Sequence, residues 1–219
     1  MNERFRFDLE VAGRRSVAGA DEAGRGCLAG PLVAAAVCFD YAALTDGDLA
    51  ALELLDDSKK LTAPRREALC TQVLQRARQV VVVWCTAGTI DRDGLHRCNL
   101  GALTRAVEGL VPAPDLALVD GFALPGCTRP HRALVGGDGR SAAIAAASVV
   151  AKVTRDRLMR RLHERYPRYG FDRHMGYATR AHQQAIAEHG VCELHRLSFA
   201  SAAFRQLGLG LAAGEEARG

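Results

Sequence analysis

A chain of 219 residues with 48% hydrophobic and 25% charged residues has room for one sizeable globular domain or two small ones. No apolar run approaches the ~20 residues that cross a bilayer, and the start, Met1-Asn-Glu-Arg-Phe-Arg-Phe-Asp8, lacks a signal peptide's apolar core. These features exclude a helical membrane protein and lead us to expect a cytoplasmic one. The net charge is only +4, yet Arg129 to Arg180 holds twelve Lys or Arg against four Asp or Glu. Such a segment suits a polyanionic substrate, and equally a solvated helix face.

Residues 1 to 15 are polar and mixed and read as a lead-in strand or arm. Ser16 to Asp21 and Leu32 to Phe39 read as strands joined as a hairpin. The second lacks polar alternation and should be buried on both faces. Residues 40 to 61 connect to a helix that Thr62 caps, with Pro64 in its first turn. It should run to about Arg78, with Leu69, Val73 and Leu74 inward. Gln79 to Thr86 is a β-branched strand with Trp84 in the core. A helix should cover about Leu95 to Leu110, ended by Val111-Pro112-Ala-Pro114. Leu116 to Asp120 and His131 to Val135 are short strands.

A long helix follows from about Ser141 to Tyr166, with Ile144, Ala147, Ser148, Ala151, Leu158 and Leu162 as a small-residue packing face. Lys152, Arg155, Arg160 and Arg161 lie off that face. Arg155-Asp156 reads as a structural ion pair or a helix-surface feature. Beyond Pro167 come loop and further helix, including Ala181 to His189. His163, His182 and His189 read as helix-surface residues, and Tyr166 and Tyr169 as core. Interleaved strands and helices give an α/β sheet with helices on its faces. Seven scattered cysteines without a CxxC pair favour neither a zinc site nor a disulfide framework.

Four acids stand where a sheet could converge them: Asp21 and Glu22, Asp120, and Asp138. Asp21 and Asp120 end expected strands, the edge where open α/β sheets bind ligands. Converging carboxylates must share cations or shift pKa. Their oxygens suit Mg²⁺ and Mn²⁺. Two such ions ~4 Å apart can activate water on one side of a phosphodiester and stabilise the leaving oxygen on the other. Asp120-Gly121 and Asp138-Gly139 are also ordinary turn dipeptides, and singly each reads more simply as a turn. Asp21-Glu22 before the Gly24-Arg25-Gly26 turn is harder to dismiss. A dinucleotide loop does not explain those glycines: Gly24-x-Gly26-x-x-x-Gly30 has the wrong spacing and leads into a strand.

Gly19-Ala-Asp21-Glu22-Ala-Gly24-Arg25-Gly26 resembles the signature of the ribonuclease HII family. So do Asp57-Ser58-Lys59-Lys60-Leu61, Val119-Asp120-Gly121, Gly137-Asp138, Ala146 to Asp156, and Tyr169-Gly170-Phe171, in the family's order across about residues 15 to 200. The resemblance implies a ribonuclease H-like fold, a central mixed β-sheet flanked by helices, with a C-terminal helical extension at about 167 to 205. One catalytic domain over 1 to 205 and a flexible tail over 206 to 219 follow.

It implies Asp21, Glu22, Asp120 and Asp138 as a catalytic site for two Mg²⁺ or Mn²⁺ ions. Gly24, Arg25 and Gly26 would contact the backbone at a ribonucleotide. Tyr177 matches the tyrosine that packs on the sugar and senses the 2′-hydroxyl, the group that separates RNA from DNA. Lys59, Ser148 and Lys152 would be phosphate-side contacts. The chain departs from the family's pattern at Cys27 (usually proline), Gly94 (asparagine), Met175 (lysine) and Ala178 (often proline).

The expected function is an endoribonuclease acting on RNA–DNA hybrids and on ribonucleotide-containing duplex DNA, as a monomer. The competing readings are a DNA structure-specific nuclease on the same fold and a non-catalytic nucleic-acid-binding module. Gln206-Leu-Gly-Leu-Gly-Leu211 resembles short peptides that dock on bacterial sliding clamps, and reads more simply as a frayed terminus.

Overall fold

In the computed structural model, residues 2–13, 15–55, 61–199 and 204 are described. Asp57, Ser58, Lys59 and Lys60 of the second motif, and the Gln206 to Leu211 peptide, lie outside them.

Five strands form one mixed sheet in the order β3-β2-β1-β4-β5. They are β1 (Ser16–Ala23), β2 (Leu32–Asp40), β3 (Gln79–Cys85), β4 (Leu116–Asp120) and β5 (His131–Leu134). β1 and β2 are the expected hairpin, antiparallel with Ala20 opposite Ala36. β1 runs parallel to β4, with Ala20 beside Val119 as the last pair, so Asp21 and Asp120 follow side by side; Asp120 ends β4, whereas β1 runs on to Ala23, two residues past the expected end. β4 runs parallel to β5, with Asp120 beside Leu134. Eight of the nine residues of the interior strand β2 are buried, as its unbroken apolar run predicts.

The helices are α1 (Glu3–Ala12), α2 (Asp46–Ala51), α3 (Ala63–Arg76), α4 (Ala87–Asp93), α5 (Leu95–Glu108), α6 (Ala142–Arg165), α7 (Phe171–His174) and α8 (Arg180–His189). The described chain clusters into two compact units. One comprises 1–23, 33–84 and 99–154; the other comprises 24–32, 85–98 and 155–219.

In the first unit, α1 replaces the strand or arm expected for residues 1 to 15. Asn2 caps it by accepting the Phe5 N–H at 3.2 Å. Phe5 is buried against Phe39 and Tyr41. The buried Asp8 is what hides this helix from a polarity reading. Its Oδ2 accepts the Tyr41 hydroxyl at 2.5 Å and the Ala143 N–H at 2.9 Å, so it caps α6. Burial pushes the Asp8 pKa upward. At the other end of β1, Asp115 accepts both the N–H and the hydroxyl of Ser16, at 2.9 and 2.7 Å. That carboxylate ties the starts of β1 and β4 together.

Three core assignments need correction. Trp84 is 60% exposed, because β3 is an edge strand. Leu74 is 49% exposed and Cys70 takes the inward position beside Leu69 and Val73. The first turns of α6 are buried all round, not on one stripe. The reason is Gly19: a Cβ there would stand 1.9 Å from the carbonyl carbon of Ala143. β1 and α6 thus touch backbone to backbone, and alanines on the helix let the surrounding chain close in.

Gly19→Ala should therefore lower unfolding free energy by about 3 kcal/mol or more, since the clash is with backbone that cannot turn aside. Urea unfolding measures it, and an unchanged midpoint would contradict the packing.

Candidate active site

The close approach at Gly19 sets the geometry of the acids in the first unit. Two residues along β1 advance ~6.6 Å, and four to five residues of helix advance about the same distance. Gly19 meets Ala143 and Ile144, so Asp21 meets Ser148, whose hydroxyl donates to its carboxylate. Asp21 Oδ1 also accepts the Glu22 N–H at 2.7 Å.

Asp21 is only 6% exposed, and its pKa rises to about 7. Loss of water is the main cause; the neighbouring charges of Glu22 and Asp120 push the same way, and the Ser148 bond only partly opposes them. Asp120 Oδ1 accepts the Gly137 N–H at 2.6 Å. That bond fixes the turn Gly137–Gly139, on which Asp138 sits half-buried. Lys152 lies one turn beyond Ser148 on α6 and is half-buried. Asp21, Glu22 and Asp120 are thus brought into electrostatic contact, with Ser148 upon them.

Among the described residues, no three Asp, Glu, His or Cys side chains form a ready-made metal cage. The donor chemistry nonetheless fits a hard divalent cation. A nearly dry carboxylate repelled by two others, with oxygen ligands throughout, is stabilised by a shared positive charge.

The second unit carries the Gly24-Arg25-Gly26 turn and Tyr177, and its organiser is Arg155. That residue is 1% exposed, so it is no helix-surface feature. Its guanidinium donates to the carbonyls of Pro31, Met175 and Ala29 at 2.9, 2.8 and 3.0 Å. Gly24, at φ +92°, makes room for it: a Cβ would lie 2.0 Å from Arg155 Nε. The freedom of Gly24 therefore serves the chain's own arginine, whereas Gly26 is exposed with open space above it.

A second buried arginine, Arg196, donates to the carbonyls of Gly30, at 3.0 and 2.8 Å, and Arg25, at 3.0 Å. Burial and the nearby Arg155 lower its pKa to about 10. Sequence reasoning did not single out Arg196. Its only signal is a cation between His195 and Leu197 in a segment without helical periodicity.

Tyr177 is 43% exposed, and its hydroxyl pairs with the buried thiol of Cys27. Its loop is stitched to the glycine turn's segment by the Gly176 carbonyl, which accepts the Leu28 and Ala29 N–H groups at 2.9 and 3.3 Å.

His182 is fully buried, contrary to the helix-surface reading, alongside His174 and His195. Tyr169, as expected, is core; Tyr166 is only half-buried.

Fold and site together place acids at the edge of a mixed sheet. The family model for ribonuclease HII matches residues 18–202. The chain belongs to the ribonuclease HII family, whose members are metal-dependent endoribonucleases. A ribonuclease HII of Xanthobacter autotrophicus is 50% identical over 207 residues, covering 94% of this chain and 80% of that protein. The ribonuclease HII of the PCNA:RNase HII complex from Archaeoglobus fulgidus superposes with TM-score 0.71 at 26% identity, over 84% of this chain and 95% of that one. Bst-RNase HIII in complex with Mn²⁺ has the same fold, with TM-score 0.66 at 22% identity over 88% and 69% of the two chains. Among the described residues, no helix is long and apolar enough to cross a membrane.

The buried rings yield a prediction. Burial lowers the pKa of His182 and of His195 to about 4, and moves His174 in the same direction. The groups facing them are Cys192 on the His195 side, Asp172 and His163 on the His174 side, and the Tyr169 ring. A folded value below the unfolded 6.5 means the unfolded chain takes up more protons in between. The contribution of neutral His182 is complete above pH 6.5 and is lost as pH falls toward 4. Asp8 and Asp21, with raised pKa values, tilt stability the other way. The ring's share is isolated as the difference in unfolding free energy between the natural chain and His182→Phe. That difference should shrink by roughly 3 kcal/mol from pH 7 to pH 4, at 1.36 kcal/mol per unit; a difference independent of pH would contradict it.

Proposed function

We propose that this chain cleaves the RNA strand of RNA–DNA hybrids and incises 5′ to a single ribonucleotide in duplex DNA, leaving a 3′-hydroxyl and a 5′-phosphate. Asp21, Glu22, Asp120 and Asp138 hold two divalent cations, Mg²⁺ or Mn²⁺. The observation that carries this is Asp21: a carboxylate 6% exposed, its pKa raised to about 7 beside two further acids. Such a group binds a proton or a cation at working pH. Bound cations would polarise the scissile phosphate and acidify the attacking water. The Mn²⁺ complex of the related fold supports the choice of ion.

The chain's own residues do the positioning. Ser148 turns Asp21, and the Gly137 amide turns Asp120. Ser148 and Lys152 meet the phosphate side, as does Lys59. Gly24, Arg25 and Gly26 follow the backbone at the ribonucleotide, with the uncovered Gly26 giving closest approach. Tyr177 offers its ring to the sugar and reads the 2′-hydroxyl.

Asp120→Asn should reduce cleavage by about 10³-fold or more while leaving hybrid affinity nearly unchanged, because the amide oxygen can still accept from Gly137 but the ligand charge is lost. End-labelled duplexes with and without one ribonucleotide supply the assay. Retained turnover rejects the ligand assignment, and equal cutting of the all-DNA twin points to a DNA nuclease instead.

We also infer that Gln206 to Leu211 docks on a sliding clamp, raising the enzyme's effective concentration at DNA. The A. fulgidus complex supports a clamp as the partner class. Full-length chain should bind a bacterial clamp more tightly than a chain ending at Phe204, which keeps the buried Phe204 ring; identical affinities reject the idea.

A further inference from the structure

The second unit holds three buried histidines that metal-dependent hydrolysis does not use. His174, His182 and His195 are 8%, 0% and 2% exposed. The rings of His174 and His182 stack with centroids 4.4 Å apart at 16°. His182 Nδ1 lies 2.9 Å from the carbonyl oxygen of Tyr177, and His182 Nε2 lies 3.2 Å from His195 Nε2. His195 Nδ1 lies 2.9 Å from the Cys192 amide, 3.3 Å from the Cys192 thiol and 3.2 Å from the Cys192 carbonyl oxygen.

These distances fix where the protons are. A carbonyl oxygen only accepts, so His182 Nδ1 carries hydrogen. In the neutral ring His182 Nε2 is then a lone pair, and His195 Nε2 must donate to it. His195 Nδ1 is therefore bare and accepts the Cys192 N–H, which is closer to it than the Cys192 carbonyl oxygen. The opposite assignment would set a lone pair of His182 against the Tyr177 oxygen. His174 is settled separately: its Nε2 donates to the Tyr169 carbonyl at 2.7 Å, and its Nδ1 accepts the Gly176 N–H at 3.2 Å. All six ring nitrogens have partners with all three rings neutral. The bonds run one way, from Cys192 N–H through His195 and His182 to the Tyr177 carbonyl.

We infer that His195 and His182 form a relay that positions Tyr177, so that the sugar-reading ring is held by a chain of imidazoles ending on its own backbone. This rests on the reading of Tyr177 given above. The loop needs holding. Met175 has φ +52°, a left-handed conformation that a side chain disfavours, two residues before Tyr177. The loop's carbonyls are held by Arg155 at Met175, by the Leu28 and Ala29 amides at Gly176, and by His182 at Tyr177, and the Gly176 N–H is held by His174. Without His182, the Tyr177 carbonyl keeps the Thr179 N–H at 2.8 Å. That bond is local and moves with the loop. His182 is anchored in the aromatic core, edge-on to Phe171, so its bond refers the loop to a fixed frame.

His182→Phe removes both polar ends and preserves the ring. His182→Asn restores a donor near the Nδ1 position. Tyr177→Ala is the reference. Each is assayed on a duplex with one ribonucleotide at saturating Mg²⁺, with folding checked by circular dichroism and thermal unfolding. His182→Phe should lower kcat about tenfold with KM changed by less than about threefold, because misplacement by a fraction of an ångström acts on the reacting geometry. His182→Asn should recover most of it.

A folded His182→Phe with full kcat, while Tyr177→Ala has lost it, overturns the relay and leaves the reading of Tyr177 standing. Full turnover by Tyr177→Ala overturns that reading and the relay with it. A loss in His182→Phe that His182→Asn does not recover makes His182 structural only, and also overturns the relay. If His182→Phe does not fold, imidazole ¹⁵N spectra of the natural chain decide. Hydrogen on Nδ1 of His182 and on Nε2 of His195 is expected, and hydrogen on Nε2 of His182 overturns the relay.

Discussion

The contact on which the first unit depends is the backbone-to-backbone meeting of β1 and α6 at Gly19. No side chain can stand between them, so the helix axis lies as close to the sheet as two main chains allow. Everything nearby follows in register. Ala142, Ala143, Ala145, Ala146 and Ala147 are small because the space beside a touching strand is small. Ser148 falls opposite Asp21 because strand and helix advance by similar lengths over two and about four residues. Asp8 reaches the start of α6 and caps it, which holds the helix along its axis while the glycine holds it in distance.

This packing carries a cost at the acids. Pressing α6 onto β1 strips water from Asp21 at the point where Glu22 and Asp120 also bear negative charge. A carboxylate in that setting destabilises the fold when ionised without a counter-ion. The same penalty is what makes a cation welcome there. A site fully relaxed without metal would gain less by binding one. Instability of the bare acids and affinity for a divalent ion are one property seen from two sides.

The second unit solves a different problem. Its central segment, 24–32, has few side chains with which to bury itself, and its carbonyls need donors. Arg155 and Arg196 supply them, each spreading its positive charge over several carbonyl oxygens with no carboxylate required. Two buried cations that share a segment repel, and the lowered pKa of Arg196 records both that repulsion and the loss of water. Multiple well-placed acceptors offset the cost, and the result is a loop defined residue by residue.

The sheet and the acids were legible in the sequence because both are written in local pattern. β4 was located to the residue, and β2 from an apolar run without alternation. Asp120 was legible as an acid closing a strand, whereas the strand that carries Asp21 runs on to Ala23. What was not legible was anything that depends on a polar group being buried by distant chain. Asp8 made α1 look like a solvated arm. Arg155 read as a structural ion pair or a surface feature, and nothing local shows that it is the carbonyls of 29, 31 and 175 that converge on it. His182 failed for the same reason: its partners Tyr177 and His195 are 5 and 13 residues away on other turns of chain. Trp84 failed in the opposite sense, since strand order decides which β-branched strand lies at the edge.

The departures at Cys27 and Met175 fall within this second kind of structure, which explains how the chain accommodates them. A proline at position 27 would stiffen the turn through its own φ. Here the thiol is buried and bonds the Tyr177 hydroxyl, so the turn is tied to the tyrosine by contact. At 175 the side chain differs, but the loop is gripped through main-chain carbonyls that any residue provides. Main-chain anchoring makes the path of this loop insensitive to side-chain identity at 175. It places the burden of accuracy on the buried Arg155 and the histidines, where a change of charge or tautomer alters the bonds themselves.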